Sequence, residues 1–147
     1  MARQKRFSKT EFNPKNPDKY VGTLPIISRS SWELYFMQKI DTNPSIIRWA
    51  SESLVIPYLH PGDHKTHKYY PDFVIEIKTS EGRIIKQVIE IKPMSQCLPG
   101  TSKKPDQLAK QNTTYMINMA KWEATKRLCE QNDFTFLVLT EHELFGK

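Results

Sequence analysis

Three residues in the middle of the chain have the side chains needed to hold a metal ion and act on a phosphodiester: Asp72, Glu90 and Lys92. Carboxylate oxygens are the ligands that Mg²⁺ prefers, and an ammonium group can orient a water molecule or stabilise negative charge that develops on a phosphate. In a strand, the Glu-x-Lys spacing puts Glu90 and Lys92 on one face, about 6–7 Å apart. These residues predict a Mg²⁺-dependent hydrolytic site, provided that the chain brings Asp72 beside Glu90.

A predicted β-hairpin supplies that proximity. Two segments of alternating polarity flank a Ser-Glu-Gly turn that ends at Gly82. A three-residue loop puts Gly82 at the left-handed position that such loops prefer and sets Phe73 opposite Ile89, whereas a two-residue loop would lose this apolar match. In the three-residue register Asp72 lies opposite Glu90, with the Cβ atoms roughly 5 Å apart. The alternative is an ordinary pattern of charges on a hairpin surface, which contributes little.

The elements around the hairpin follow from apolar periodicity and turn signals. An apolar stripe with helical spacing begins behind Ser30, and Asn43-Pro44 ends it because the residue before a proline avoids the helical region. The predicted order is a helix at 30–43, strands at 54–59, 69–78 and 84–92, a helix at 106–132 with the stripe Met116, Ile117, Ala120, Ala124 and Leu128, a strand at 134–139 and a helical turn at 141–145, with loops at 60–68 and 93–105. This order predicts an α/β fold, a mixed sheet of about four strands flanked by helices.

Length and charge indicate one basic domain. The chain has 147 residues, a net charge of +6 and a pI of about 9.3, which favours a polyanionic partner, either nucleic acid or an acidic membrane surface. No apolar run approaches the roughly 20 residues of a membrane span, and no apolar segment of a secretory signal follows the N-terminus. The two cysteines, Cys97 and Cys129, are expected to be reduced thiols of an intracellular or particle-bound protein.

Much of the excess charge lies near the N-terminus. Residues 1–20 contain six basic and two acidic residues, two prolines and no apolar periodicity. This composition predicts an extended basic arm over residues 1–27, ahead of a folded domain over residues 28–147. The candidate DNA-binding residues of the arm are Arg3, Lys5, Arg6 and Lys9. The alternative is a solvated, partly ordered terminus.

One polar loop concentrates the histidines. His60, His64 and His67 lie there with Asp63, at spacings that suit a zinc site. Structural zinc sites usually need four closed ligands, often cysteines, and no cysteine lies nearby. A polar loop is therefore favoured over zinc, and a loop that faces DNA beside the predicted site is the other alternative.

The residues Pro71-Asp72 and Glu90-Ile91-Lys92 resemble the PD-(D/E)xK nuclease superfamily. Over about residues 28–143 the chain is similar, more narrowly, to the head completion nucleases of tailed phages. TnsA-like transposon endonucleases share part of the pattern, including the Lys-Trp pair and the Leu-Thr-Glu ending. The motifs that carry the resemblance are Arg29-Ser30-Ser31-Trp32-Glu33, Asn43-Pro44, Ile47-x-Trp49, Ile56-Pro57-Tyr58, Glu90-Ile91-Lys92-Pro93, Tyr115-x-x-Asn118-x-x-Lys121-Trp122 and Leu139-Thr140-Glu141.

The resemblance implies a restriction-endonuclease-like core and DNA cleavage that depends on Mg²⁺, for which Mn²⁺ can substitute. It adds Glu33 as a catalytic and metal-site residue, in competition with a simple capping box that Glu33 would form with Ser30. It also suggests Gln111, Tyr115 and Lys121 as auxiliary residues. The alternative is that their helix merely docks on the sheet.

The resemblance further implies a biological setting. The expected partners are double-stranded DNA and phage head, portal or neck proteins, and neither a membrane nor a small-molecule cofactor is expected. The protein would trim packaged DNA so that heads can join tails, in the virion and, during assembly, in the host cytoplasm. Two alternatives stay open: a structural head–tail or DNA-end binding protein that does not cut, and an endonuclease subunit of the transposase or junction type.

Overall fold

A computed structural model of the chain describes residues 8–146. Its elements are β1 (Thr10–Phe12), β2 (Ile26–Ser28), α1 (Ser31–Thr42), β3 (Ile46–Ser51), β4 (Ile56–Leu59), β5 (Thr66–Tyr69), β6 (Phe73–Lys78), β7 (Ile84–Ile91), α2 (Pro105–Gln131), β8 (Phe134–Leu139) and α3 (Glu141–Phe145). Short 3₁₀ turns lie at Pro17–Lys19 and Met94–Gln96. None of the helices within residues 8–146 is long and apolar enough to cross a membrane. The cysteines at 97 and 129 are free thiols.

Four strands form the central mixed sheet, in the order β3-β6-β7-β8. The first three are antiparallel neighbours, whereas β7 and β8 are parallel, since α2 crosses over between them. This confirms the predicted α/β class and the restriction-endonuclease-like core. One predicted member of the sheet is wrong: β4 pairs with β5 in a separate hairpin, and β3 takes its place.

The sheet separates two apolar cores. On one face, α1 and the β1–β2 hairpin pack against the strands and bury residues such as Met37 and Phe73 completely. On the other face, α2 and the β4–β5 hairpin enclose Tyr69 and Trp122. Because side chains alternate along a strand, β7 contributes isoleucines to the first core and turns Glu90 toward the second.

The N-terminal stretch contacts the rest of the domain from residue 10 onward, unlike the predicted arm. Phe12 is 9% exposed, and its ring centroid lies 6.0 Å from that of Trp49. Strand β1 pairs with β2 across the boundary predicted between residues 27 and 28. Further along, the Val21 N–H donates to the Trp49 carbonyl at 3.0 Å, beside a bridge between Tyr20 and Trp49. An unpacked arm over residues 10–20 is therefore wrong, because a few isolated apolar residues provide the packing.

Helix α2 lies close to its predicted bounds, but the predicted stripe is not its most buried part. Four residues of the stripe, Ile117, Ala120, Ala124 and Leu128, are partly buried against the second core, whereas Met116 is 55% exposed. The buried residues of the helix are Asn118, Trp122, Thr125 and Cys129. Two of the buried residues are polar and have hydrogen-bond partners. The amide of Asn118 donates to the Gln96 carbonyl at 3.1 Å, and the hydroxyl of Thr125 donates to a backbone carbonyl one turn earlier. Satisfied polar groups of this kind leave no apolar periodicity in the sequence.

The segment predicted as a loop at residues 60–68 contains most of β5. Of the four residues of this strand only Tyr69 is buried, so the alternation is too weak to indicate a strand. The strand predicted from residue 69 correspondingly begins at Phe73. The strand at 134–139 and the closing helical turn have the predicted bounds.

Candidate active site

The hairpin of β6 and β7 has the predicted register, with Phe73 opposite Ile89. Asp72 directly precedes β6 and therefore lies at the end of β7, where its Oδ2 accepts a hydrogen bond from the Ile91 N–H at 2.7 Å. Its carboxyl group is close enough to the Glu90 carboxylate for the two to interact electrostatically. The structure thus brings the two predicted carboxylates together.

Two neutral donors hold Glu90, which is 4% exposed. The hydroxyl of Tyr69 donates to Glu90 Oε2 at 2.6 Å, and the indole Nε1 of Trp122 approaches the same oxygen at 3.4 Å. Burial, and then the charge of Glu90, raise the pKa of Tyr69, so the hydroxyl keeps the proton that it donates. Sequence reasoning assigned no such role to Tyr69 or Trp122, because they lie 21 and 32 residues from Glu90 along the chain.

Within residues 8–146, no cation forms an ion pair with Asp72. Burial raises the pKa of its carboxyl group, the neighbouring Glu90 carboxylate raises it further, and the Ile91 N–H acts in the opposite direction. Among residues 8–146, neither Asp72 nor Glu90 forms an ion pair with a lysine, arginine or histidine. A divalent cation would stabilise two such carboxylates, one partly buried and one buried, so the residues present fit the predicted metal.

Glu33 lies in the first turn of α1 and borders the same site. The N-cap residue Ser30 accepts a hydrogen bond from the Glu33 N–H and donates its hydroxyl to the Glu33 carboxylate, both at 3.1 Å. Burial raises the pKa of Glu33, and the charge of Glu33 in turn raises that of Asp72. Glu33 and Lys92 line one open cavity of about 370 Å³. The capping interaction and a place beside the carboxylate pair are therefore compatible.

Hydrogen bonds to β8 and to α3 hold the backbone at Lys92 and Met94. Its N–H donates to the Leu139 carbonyl at 3.0 Å, which extends the β7–β8 pairing past the strand. Two residues further on, the Met94 N–H donates to Glu141 Oε1 at 2.8 Å. Glu141 was missed as a residue that supports the site, and its place in the Leu139-Thr140-Glu141 motif was the only signal in the sequence.

The three auxiliary candidates on α2 lie in different surroundings. The ammonium group of Lys121 is 5.4 Å from the ring centroid of Tyr69, close enough to Glu90 to interact electrostatically. The side-chain oxygen of Gln111 instead accepts from two backbone N–H groups of the loop before α2, each at 3.1 Å. Tyr115 forms no hydrogen bond through its hydroxyl with any residue between 8 and 146. The structure brings Lys121 alone of the three beside the carboxylates.

The histidine loop forms a small polar cluster on the β4–β5 hairpin. His60, Asp63 and His67 have potential ligand atoms within 4.8 Å of one another, and His64 is not part of this group. A hydrogen bond of 2.7 Å joins His67 Nε2 to Asp63, and the Gly62 N–H donates to His60 Nδ1 at 3.0 Å. These bonds account for the cluster within the hairpin, and the preference for a polar loop over zinc stays a prediction.

The predicted DNA-binding residues of the N-terminus are only partly within the described residues. Arg3, Lys5 and Arg6 lie outside them, and Lys9 is exposed. Their contact with DNA stays a prediction.

Comparison with known proteins agrees with this fold and site. Residues 43–141 match the family described as TnsA-like endonuclease N terminal. With the mixed sheet and the Asp72, Glu90 and Lys92 set, this match defines a member of the PD-(D/E)xK nuclease superfamily. The chain is also 36% identical over 138 residues to the head completion nuclease of Enterobacteria phage T4, with 89% of each chain covered. It therefore belongs to the head completion nuclease family.

Proposed function

We propose that the protein is a Mg²⁺-dependent DNA nuclease whose catalytic residues are Asp72, Glu90 and Lys92, joined by Glu33. The observation that supports this most directly is the pair of the partly buried Asp72 and the buried Glu90, which has neutral hydrogen-bond donors and no ion-pair partner within residues 8–146. Membership of a family named for nuclease activity supports the reaction and the substrate class.

Asp72 and Glu90 would hold the metal ion, Mg²⁺ or Mn²⁺. The Ile91 N–H donates to Oδ2 of Asp72 and the Tyr69 hydroxyl donates to Oε2 of Glu90, and these bonds orient the two carboxyl groups. Bound there, Mg²⁺ supplies Lewis acidity toward the phosphate and lowers the pKa of a coordinated water. Lys92 orients the attacking water and offsets negative charge on the phosphate in the transition state.

The proposed setting is the completion of phage heads. The T4 relative is named for that step, and the proposal extends it to this chain: packaged double-stranded DNA is trimmed before the head joins the tail. The partners would be head, portal or neck proteins, and the protein would stay with the virion. Arg3, Lys5, Arg6 and Lys9 would hold the DNA backbone beyond the site, because cationic side chains release counterions from phosphates.

A cleavage assay with matched variants tests the site. Supercoiled plasmid is incubated with the full chain in Mg²⁺, Mn²⁺ or EDTA, beside Asp72→Asn and Lys92→Ala. The exposed controls Glu81→Gln and Lys78→Ala lie at the far end of the same hairpin. We expect cleavage by the wild type and both controls in Mg²⁺, none in EDTA, and a loss of at least about 100-fold in the two site variants.

Equal DNA loss in all five proteins would reject the site assignment. Binding of DNA without cleavage under either metal would reject the nuclease and favour a structural protein that binds DNA ends.

A further inference from the structure

Besides Lys92, which lies two residues from Glu90 in the sequence, a second lysine, Lys121, has its ammonium group near the carboxylate pair. Burial and the charge of Lys92 lower the pKa of Lys121, while Glu90 acts in the opposite direction, so the three groups are close enough to interact. Among residues 8–146, neither ammonium forms an ion pair or a hydrogen bond. The proposed function uses Lys92 and leaves Lys121 without a role.

Two buried tyrosine rings fix the position of Lys121. Its ammonium lies 5.9 Å from the ring centroid of Tyr58 and 5.4 Å from that of Tyr69, and both rings belong to the β4–β5 hairpin. The hydroxyl of Tyr69 is bound to Glu90, and the next residue of α2, Trp122, also reaches Glu90 with its indole. The β4–β5 hairpin and α2 therefore both fix the position of this ammonium group relative to Glu90, a proposed metal ligand.

The two ammonium groups make this place favourable for an anion. Two like charges in a half-buried place repel each other, and contacts with ring faces do not neutralise them. Glu90, whose charge acts on Lys121, has one oxygen bound to Tyr69 and is a proposed metal ligand. A phosphodiester carries a full negative charge and acceptor oxygens that can reach both ammonium groups at once.

We propose that Lys121 and Lys92 together bind a backbone phosphate of DNA against the Asp72–Glu90 pair, with Tyr58 and Tyr69 as the platform that positions Lys121. The inference rests on the proposed function and identifies a residue on α2 that contacts its substrate. Lys121 would contact the substrate, whereas Trp122 and Tyr69 contact Glu90.

Binding of a short DNA duplex at several salt concentrations tests the proposal, with Ca²⁺ in place of Mg²⁺, and cleavage is measured separately in Mg²⁺. The variants are Lys121→Met, which keeps the apolar stem against the rings, and Lys121→Arg, which keeps the charge. Lys78→Met is the control, since this exposed lysine lies six residues from Asp72, roughly 20 Å along the strand.

Loss of one phosphate contact should reduce the slope of log K against log salt by about 0.9 in Lys121→Met. Cleavage efficiency should fall about 10–100-fold, the effect of one charge-assisted hydrogen bond. Lys121→Arg should keep most of the slope, and Lys78→Met all of it. Lys121→Met should melt at or above the wild-type temperature, because it removes an unpaired, half-buried charge, whereas a purely structural lysine would lower that temperature.

The outcomes separate this inference from the proposed function. If the wild type cuts DNA and Lys121→Met binds and cuts as well as the wild type, the inference about Lys121 is overturned and the proposed nuclease function is kept. If the wild type binds DNA but does not cut it, the proposed nuclease function is overturned, and a reduced salt slope in Lys121→Met still supports the phosphate site. If the wild type does not bind DNA, both are overturned.

Discussion

Replacing Asp72 with asparagine should stabilise the metal-free protein while it abolishes cleavage. Each unit by which burial and Glu90 raise the pKa of Asp72 costs the ionised folded protein about 1.4 kcal/mol. An asparagine keeps an acceptor for the Ile91 N–H, although a neutral acceptor is weaker by about 1 kcal/mol. Its amide can also donate to Glu90. We expect a net gain of about 1–3 kcal/mol at neutral pH, or roughly 3–9 °C in melting temperature for a domain of this size.

The pH dependence of this gain follows from the raised pKa. The folded state carries no penalty from Asp72 below the ordinary pKa of an aspartate, and it loses stability as the pH rises from there through the raised value. The advantage of Asp72→Asn should therefore increase between about pH 5 and pH 8. Added Mg²⁺ should stabilise the wild type more than the variant and so reduce the difference, because a ligand stabilises only the state that binds it.

Urea unfolding followed by tryptophan fluorescence measures these differences, in EDTA and in Mg²⁺, at the two ends of this pH range. Glu81→Gln is the matched control, since its exposed carboxyl group lies in the hairpin turn, and it should change stability by less than about 0.5 kcal/mol. A variant that is no more stable than the wild type at pH 8 in EDTA would refute the reasoning, because the charge of Asp72 would then be compensated without a metal.

Two further substitutions test the support of the site and the N-terminal packing. Tyr69→Phe should weaken Mg²⁺ binding about 10–100-fold, since the hydroxyl that orients Glu90 is lost; calorimetric titration measures this, and an unchanged affinity would make Tyr69 a packing residue only. Phe12→Ala should lower the free energy of unfolding by about 3 kcal/mol, against less than about 0.5 kcal/mol for the exposed Lys9→Ala. Equal stability of these two variants in urea would contradict the packed N-terminal stretch.

The register of the β6–β7 hairpin could be predicted because its information is local. The turn at Gly82 and the match of Phe73 with Ile89 exclude the alternative pairing within fewer than 20 residues of sequence. That register was sufficient to bring Asp72 beside Glu90. The resemblance to a nuclease family added Glu33, whose position beside Asp72 depends on how α1 packs against the sheet.

Residues that act through tertiary packing could not be predicted in the same way. Trp122 and Tyr69 meet at Glu90 only after α2 and the β4–β5 hairpin have docked on the sheet. The choice between β3 and β4 as a sheet member is also tertiary. Both are short and apolar, but Trp49 of β3 is 1% exposed because residues from distant segments, Phe12 among them, cover it.

The contact of residues 20 and 21 with β3 has a consequence for the solubility of shortened chains. An edge strand presents unpaired N–H and C=O groups that can pair with another molecule, and here the Val21 N–H occupies the carbonyl of Trp49. A chain that begins at residue 28 would uncover this edge and lack β1 and most of β2, so we expect it to associate through strand addition. Shortened chains meant to test the basic N-terminus should therefore keep the sequence from residue 10 onward.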